Sequence, residues 1–201
     1  MRPMNLLITG AGGQGIILAS DIIGETAIAA DYDVKKTDTI GMAQRGGSVL
    51  SHMRIAEKVW SPLIREGDVD LLIALEKLEA ARWASYLRPG GIAVVNNHAL
   101  PPLSVSLGNT RYPTDEEIQG VLEQITDRVY FINGTDRAKE LGNIRALNIF
   151  MLGCASHFMP FRVSTWKESI ANRLPEKVRK INLTAFDRGR KEIQGVRISK
   201  S

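Results

Sequence analysis

The chain has 201 residues, a length that favours one domain with a well-buried core. Hydrophobic residues make up 44% of it and charged residues 24%, which is ordinary for a globular protein. The net charge is +4, and much of the positive charge lies near the C-terminus. Acidic residues interrupt that stretch, a pattern typical of a solvated helix face rather than of a nucleic-acid interface.

The rarer residue types exclude several kinds of site. A single cysteine, Cys154, rules out an internal disulfide and any four-thiolate iron–sulfur or zinc site made by this chain alone. Its apolar surroundings favour a small buried side chain. The histidines His52, His98 and His157 lack metal-ligand spacing, so we expect structural or surface roles. No apolar run suits a secretory signal or a membrane span, and we expect a cytoplasmic protein without a membrane partner.

Short apolar runs predict strands, in chain order, over residues 4–9, 33–39, 48–55, 70–75, 92–96 and 128–132. The first run is almost wholly apolar, which indicates the centre of a parallel sheet. The third alternates apolar and polar residues and is expected to pair with residues 58–61. An irregular excursion follows the fifth strand, with a small hairpin expected near Leu107-Gly108-Asn109.

Helical stretches alternate with these strands. Helices are expected over residues 14–30, 78–87, 115 onward, 134–141, 144–158, 165 onward and 175–194. Arg88-Pro89-Gly90-Gly91 is expected to end the second. Thr114 and Glu117 form a capping box for the third, and Ser164 is the expected N-cap of the helix that contains Trp166. Residues 144–158 are apolar on nearly every side, which predicts burial under the sheet or against another subunit.

These elements predict an α/β, Rossmann-like fold. The sheet should be mostly parallel, with helices on both faces and a helical C-terminal region. We assign residues 1–195 to a single domain and residues 196–201 to a frayed tail.

A glycine-rich loop, Gly10-Ala11-Gly12-Gly13-Gln14-Gly15, connects the first strand to the first helix. The G-x-G-x-x-G spacing permits a tight turn, close approach of a ligand and helix N–H groups aimed at an anion. The pattern is equally compatible with a turn that only packs tightly. In a dinucleotide enzyme, Asp38 could bind the ribose, or Lys35 and Lys36 a 2′-phosphate. An autonomous NADP-linked reductase is therefore one hypothesis.

A second loop, Gln44-Arg45-Gly46-Gly47, enters the third strand. Its glycines would let the backbone press against a ligand or partner, while Arg45 offers a planar donor fork for a carboxylate or phosphate. Arg45 could instead pair with an internal acid and hold the loop. Asn143 is expected to be a polar anchor at the start of the buried helix.

No catalytic apparatus accompanies these loops: the sequence lacks G-x-S-x-G, H-E-x-x-H, C-x-x-C and a P-loop lysine. A phosphate-cradling fold without such groups is often one part of a larger enzyme. A further hypothesis is a scaffold whose glycine loops only dock a partner.

Residues along nearly the whole chain resemble the gamma domain of the 2-oxoacid:ferredoxin oxidoreductases. The resemblance rests on both glycine loops, Ser61-Pro62, Gly67-Asp68, Glu76, Glu79-Ala80, Arg82, Pro89-Gly90-Gly91, Asn96, Leu141-Gly142-Asn143, Asn148, Leu152-Gly153, Asn182, Ala185-Phe186 and Gly189. The excursion around Pro101-Pro102 and Tyr112-Pro113 is most similar to the indolepyruvate-oxidising members.

The resemblance implies a small, dependent subunit without catalytic residues of its own. A larger alpha subunit would carry thiamine diphosphate, Mg²⁺ and [4Fe-4S] clusters, with none of these held by this chain. The complex would convert an aryl pyruvate to its acyl-CoA, using coenzyme A as co-substrate and passing electrons to ferredoxin. Subunits acting on pyruvate, 2-oxoglutarate or 2-oxoisovalerate are alternatives. The implied cofactor-facing residues are Gly10, Gly12, Gly13, Gln14, Gly15, Gln44, Arg45, Gly46, Gly47 and Asn143.

Overall fold

The computed structural model describes residues 3–41, 47–108 and 110–195. One sheet contains the strands β1 (Met4–Ala11), β2 (Asp33–Ile40), β3 (Ser48–Ala56), β4 (Val69–Ala74), β5 (Leu87–Asn96) and β6 (Val129–Ile132). Its order is β2-β3-β1-β4-β5-β6. The pairs β1–β4, β4–β5 and β5–β6 are parallel, whereas β3 is antiparallel to both β1 and β2. The predicted mostly parallel sheet is confirmed.

The helices are α1 (Ile16–Ile28), α2 (Lys77–Arg82), α3 (Leu103–Ser106), α4 (Asp115–Glu123), α5 (Gly134–Glu140), α6 (Leu147–Ala155), α7 (Val163–Arg173) and α8 (Glu176–Gly195). Helices α1 and α6 pack on one face of the sheet, with α7 and α8 outside them. Helices α2 and α4 cover the other face. Successive side chains of a strand point to opposite faces, so the sheet separates two apolar clusters. Helices on both faces are confirmed.

Strand β1 lies at the centre of the sheet, as its apolar sequence predicts. Leu6, Leu7 and Ile8 are fully buried, and β1 pairs with β3 on one side and with β4 on the other. Leu6 contributes to one apolar cluster and Leu7 to the other. The residues that follow β1 therefore emerge at the middle of the sheet edge.

The expected strand at residues 58–61 is wrong. Strand β3 pairs with β1 and β2, and residues 57–61 are irregular. Within that segment the Val59 N–H donates to the Asp33 carboxylate at 2.9 Å, so a side chain provides the acceptor that a neighbouring strand would have offered. Pro62, which has no N–H, follows soon after.

The helix expected over residues 78–87 is shorter than predicted. Residues 88–91, which were expected to end it, lie within strand β5. Helix α2 ends at Arg82, a 3₁₀ turn covers Ala84–Tyr86, and β5 already begins at Leu87. The Pro-Gly-Gly run coincides with a shift of register between β4 and β5. A Cβ at Gly91 would lie 3.0 Å from the Val69 carbonyl oxygen, so the neighbouring strand approaches too closely for a side chain.

Two smaller expectations are also corrected. The excursion after β5 contains the short helix α3 rather than a hairpin, and Asn109 lies outside the described residues. Helix α7 begins at Val163 with Arg162 as its N-cap, two residues before the expected Ser164 cap. The Thr114–Glu117 capping box at α4 is confirmed.

Helix α6 is buried along its whole length, between the sheet and α8. It crosses α8 where Gly153 faces the Phe186 backbone and Gly189 faces the Phe150 backbone. A Cβ would lie 2.2 Å from the Phe186 oxygen in the first case and 2.0 Å from the Phe150 oxygen in the second. The two helices therefore touch backbone to backbone at this crossing.

The C-terminal helices are otherwise held by aromatic packing. Trp166 of α7 is fully buried, with its ring 5.9 Å from those of Phe161 and Phe186. Residue 195 is the last of α8, and the tail assigned to residues 196–201 lies outside the described part of the chain. Within that part, no helix combines the length and the hydropathy needed to cross a membrane.

Candidate functional site

The candidate site lies at the carboxyl edge of the sheet, where β1, β4, β5 and β6 all end because they are parallel. After β1 the chain passes to α1 on one face, and after β4 it passes to α2 on the other. Open α/β sheets bind ligands in the crevice that such a divergence creates. Here the crevice is bordered by the first glycine loop and by Leu75.

The two glycine loops meet at this edge. The Gly12 N–H donates to the Gly47 carbonyl at 2.8 Å, so the last residue of the second loop lies against the first. The loop closes through a bond from the Gln14 N–H to the Ala11 carbonyl at 3.1 Å. Gly15 is the N-cap of α1 with a φ of 81°, in the left-handed region that favours glycine.

Gln14 fills the crevice with its own side chain. Its Oε1 accepts the Ala11 N–H at 2.8 Å, and its Nε2 donates to the Leu75 carbonyl at 3.0 Å. A Cβ at Gly10 would lie 2.7 Å from the Gln14 oxygen, which explains the glycine there. The side-chain amide thus links the end of β1 to Leu75, the residue that follows β4.

Asn148, the second residue of α6, covers the other side of the loop. Its Nδ2 donates to the Gly15 carbonyl at 3.2 Å, and a Cβ at Gly15 would lie 2.5 Å from that nitrogen. Asn143 has a different place. It caps the 3₁₀ turn before α6, accepting the Arg145 N–H at 3.0 Å, and is therefore an anchor at the start of the helical segment, as expected.

Asn96, at the end of β5, completes the polar floor. It is fully buried; its Nδ2 donates to the Leu75 carbonyl at 3.0 Å and to the Thr135 hydroxyl at 2.9 Å. Its Oδ1 accepts the Thr135 N–H at 3.1 Å. The Leu75 carbonyl consequently accepts from both Gln14 and Asn96, and two neighbouring amides hold the edge rigidly.

Two buried carboxylates stand beside the glycine loops. Glu76 is the N-cap of α2 and accepts the Glu79 N–H at 2.9 Å, the Leu100 N–H at 3.0 Å and the Tyr112 hydroxyl. Burial, together with this bond to Glu76, raises the pKa of Tyr112. Glu79 accepts from the Ser48 hydroxyl and from Arg82. Glu79 thereby ties α2 to the start of β3, directly after the second loop.

In the sequence, only the family resemblance indicates Glu76, Glu79, Asn96 and Asn148. A local signal existed for two of them, since Glu76 directly follows the apolar run at residues 71–75 and Glu79 lies three residues later. The donors Leu100, Tyr112 and Ser48 lie far from the two carboxylates in sequence, so these hydrogen bonds were not predictable. Glu76 accepts two backbone N–H groups and so fixes the backbone at Glu79 and Leu100, whereas Glu79 accepts from the side chains of Ser48 and Arg82.

The residues expected to be structural are confirmed as such in two cases. Cys154 is fully buried, donates to the Gly189 carbonyl at 3.3 Å, and burial raises the pKa of its thiol. His52 is buried on β3 with its ring centre 5.6 Å from that of Tyr86. Burial lowers the pKa of His52, which favours its neutral form. Across the described ranges, no group of three His, Cys, Asp or Glu side chains could hold a metal ion.

The cations considered for a nucleotide phosphate face elsewhere. Lys36 Nζ is bound by Asp21, by Asp38 at 3.0 Å and by the Ser20 hydroxyl at 3.0 Å. Asp38 therefore holds this lysine through Oδ2, while its Oδ1 is buried and accepts no hydrogen bond from the described residues. Gln44, Arg45 and Gly46, predicted to face the cleft, lie outside the described residues.

Comparison with known proteins shows to which protein family the chain belongs. A family model described as pyruvate ferredoxin/flavodoxin oxidoreductase matches residues 5–192. The chain belongs to this family. A crystal structure of a keto/oxoacid ferredoxin oxidoreductase gamma subunit from Geobacter sulfurreducens has the same fold, with a TM-score of 0.74 and 22% identity over 98% of this chain and 100% of that one.

Within this family, the chain is more similar to some relatives than to others. The chain is 38% identical over 188 residues to indolepyruvate oxidoreductase subunit IorB of Archaeoglobus fulgidus, covering 92% of this chain and 93% of the relative. Identity to the Thermococcus kodakarensis protein of the same name is 35% over 192 residues, or 94% and 95% of the two chains. Identity to 2-oxoglutarate synthase subunit KorC of Methanothermobacter marburgensis is 27% over 92% and 94%.

Proposed function

We propose that this chain is the small subunit of a cytoplasmic indolepyruvate:ferredoxin oxidoreductase. The complex oxidatively decarboxylates an aryl pyruvate to its acyl-CoA and transfers the electrons to ferredoxin. The observation that carries the proposal is the higher identity to indolepyruvate oxidoreductase subunits, 38% and 35%, than to a 2-oxoglutarate synthase subunit, 27%, over similar coverage. Subunits for pyruvate, 2-oxoglutarate or 2-oxoisovalerate are the alternatives that a substrate comparison separates.

The described side chains support a dependent role. An iron–sulfur cluster is held by several cysteine thiolates, and this chain has a single cysteine, Cys154, whose buried thiol donates to the Gly189 carbonyl. The carboxylates Glu76 and Glu79 are held by hydrogen bonds in place. A larger subunit would therefore hold thiamine diphosphate, Mg²⁺ and the clusters, whose chemistry is carbanion stabilisation and electron transfer. This chain would contribute the glycine loops as a wall of the site.

Exposed apolar side chains mark the edge on which that larger subunit would dock. Ile17 at the start of α1, Ile40 at the end of β2, Leu100 after β5 and Ile144 before α6 are all exposed. Strand β2 is parallel to β1, because both are antiparallel to β3. All four residues thus lie at the carboxyl edge, beside the glycine loops. Trp60 and Leu63, which follow β3 at the opposite edge, are also exposed, so the carboxyl edge is chosen because its exposed apolar groups lie beside the glycine loops.

The geometry argues against the autonomous NADP-linked reductase. Gln14 occupies the crevice between β1 and β4, and Lys36 is neutralised by Asp21 and Asp38. Titration of the isolated chain with NADPH should show no binding by nicotinamide fluorescence. Micromolar binding would revive the reductase hypothesis.

Reconstitution tests the proposal. The purified chain should show no oxidation of indolepyruvate in the presence of coenzyme A and ferredoxin, and activity should appear on mixing with the larger subunit. In the complex, kcat/KM for indolepyruvate should exceed that for pyruvate, 2-oxoglutarate and 2-oxoisovalerate by at least about tenfold. Activity that is unchanged when this chain is omitted, or a preference for another oxoacid, would contradict it.

A matched pair of surface variants tests the docking edge. Ile144→Asp should weaken binding to the larger subunit by about tenfold or more, because it places a charge in an apolar contact. Ile28→Asp, at an equally exposed position at the opposite end of α1, should leave binding unchanged. Calorimetric or sedimentation titration gives both values, and equal effects would show that the partner docks elsewhere.

A further inference from the structure

The chain leaves the sheet after β5 and makes an excursion over the surface before it enters α4. We call residues 100–112 of this excursion the arm. Helix α3 lies within it, and none of its described side chains is buried. Leu100 and Leu107 are 42% and 65% exposed. Burial of its described apolar side chains therefore contributes little to holding the arm in place.

A single carboxylate, that of Glu76, holds both ends of the arm. Its Oε1 accepts the Leu100 N–H at 3.0 Å and also the Tyr112 hydroxyl. Its Oε2 accepts the Glu79 N–H at 2.9 Å, which caps α2. Glu76 is only 2% exposed, so water competes little for these hydrogen bonds. The arm is thus an Ω-loop that one buried side chain closes at its base.

The segment after β3 is held in a different way. Residues 57–66 also carry an exposed leucine, Leu63, at 64%. Val59 and Ile64 of the same segment are buried, however, and Ile64 belongs to an apolar cluster. Apolar burial therefore helps to fix that segment, which lies at the opposite edge of the sheet. The arm depends instead on its hydrogen bonds to Glu76.

The chemistry of the arm suits an apolar protein surface. Its sequence contains one charged residue, Arg111, and both terminal nitrogens of that guanidinium donate to the Glu117 carboxylate, one of them at 2.7 Å. The arm thus presents leucine, proline and small polar residues around a charge that is already paired. A nucleic acid would need free cations, and an apolar protein surface needs none.

The arm also lies beside the proposed docking edge. Both of its ends bind Glu76, which follows Leu75 at the carboxyl end of β4, and Leu100 already belongs to that edge. Leu107 adds a further exposed apolar side chain between the two ends. Ordering an exposed loop costs conformational entropy, and a loop that is fixed in advance does not add this cost to the binding step.

We propose that the arm docks on the larger subunit, and that Glu76 is a positioning residue that holds the arm in its docking shape before the two chains meet. The inference rests on the proposed function, because the larger subunit is the partner which that function requires. It adds to that function the segment that makes the contact and the side chain that prepares it.

Hydrogen exchange and a matched pair of variants test the contact. The amides of residues 105–108 should exchange at least about tenfold more slowly in the complex than in the isolated chain, because docking removes them from water. Leu107→Asp should weaken association by about tenfold or more. Leu63→Asp, at a similarly exposed position on the opposite edge, should leave it unchanged. Sedimentation or calorimetric titration with the larger subunit gives both dissociation constants.

Tyr112→Phe tests the role of Glu76 with little change in volume. It removes one bond to Glu76 and leaves the cap of α2 in place. The arm should then exchange about tenfold faster in the isolated chain, and the dissociation constant should rise about fivefold or more, because the arm must be ordered on binding. In a Leu107→Asp background the rise should disappear, since an arm that does not dock gains nothing from being fixed. A purely structural bond would lower the urea midpoint and leave the dissociation constant unchanged.

Three results would overturn the inference while the proposed function stands. They are a complex in which the arm exchanges as fast as in the isolated chain, equal binding by Leu107→Asp and Leu63→Asp, and a dissociation constant for Tyr112→Phe equal to that of the natural chain. An isolated chain that sediments as a dimer, and that Leu107→Asp makes monomeric, would assign the arm to a second copy of this chain instead. If the natural chain forms no complex with the larger subunit, the proposed function is wrong, and the inference with it.

Discussion

Glycine residues meet close neighbours in two regions of this molecule, and the neighbours differ in kind. At the crossing of α6 and α8, Gly153 and Gly189 each face a backbone carbonyl at a distance that no Cβ could tolerate. In the first loop, Gly10 and Gly15 face the side-chain amides of Gln14 and Asn148, and a Cβ at Gly13 would meet nothing within 4 Å. A side chain therefore has no room at either glycine of the helix crossing, whereas it has free space at Gly13 of the loop.

This difference separates two uses of the same residue. Backbone atoms cannot move without shifting a whole helix, so the crossing glycines serve stability alone. Side-chain amides can rotate, and the open side of Gly13 is where a partner or ligand could approach. A glycine pattern in a sequence therefore indicates close approach, but the identity of the neighbour decides whether the approach is structural or functional.

The largest effect on stability should follow from Gly189→Ala. The new methyl group would overlap the Phe150 oxygen, and we expect a loss of more than about 3 kcal/mol in the free energy of unfolding. Urea denaturation measures it. The control is Gly120→Ala in α4, where a Cβ meets nothing, and a gain of about 0.5–1 kcal/mol is expected. Similar results for both variants would refute the tight crossing.

An intermediate effect is expected from Gly15→Ala. The left-handed backbone costs an alanine about 1–2 kcal/mol, and contact with the Asn148 amide adds to that cost. In an Asn148→Ala background the added part should disappear, so the penalty should fall by about 1 kcal/mol. A double-mutant cycle by urea denaturation gives this coupling. A penalty that is the same in both backgrounds would show that Asn148 does not restrain the loop.

The smallest effect on stability, but a large one on turnover, is expected from Gly13→Ala. Its positive φ costs about 1 kcal/mol, and its Cβ would project into the open side of the loop. In the reconstituted complex, turnover should fall by about tenfold or more because the approaching group is displaced. Gly67→Ala has a similar φ and free space, but it precedes β4 at the opposite edge. It should lose the same stability and no turnover.

Much of the fold could be predicted from local patterns. The apolar runs located β1, β4 and β6 to within a few residues, and Thr114 with Glu117 located the start of α4. The partner of β3 was not predictable. Residues 57–61 are close in sequence, but the side chain of Asp33 holds Val59, and β2 and β1 provide the ladder instead.

The candidate site also combines residues that the sequence predicted with contacts that it did not. Its glycines were recognisable because their spacing after a strand is a local signal. The filling of the crevice was not, because the side chain of Gln14 binds Leu75, which follows β4 and is 61 residues away in sequence. Asn148 reaches Gly15 from a helix near the other end of the chain, and no periodicity encodes that contact.

The sequence by itself determined where strands and helices form, that the sheet is of the α/β kind, and that the chain lacks the thiols for a cluster of its own. These properties depend on neighbours within a few positions or on composition. Only the tertiary structure decided which glycines face backbone, which face open space, and what fills the crevice. Such properties depend on residues that folding brings together from distant parts of the chain, so their physical cause exists only in the packed molecule.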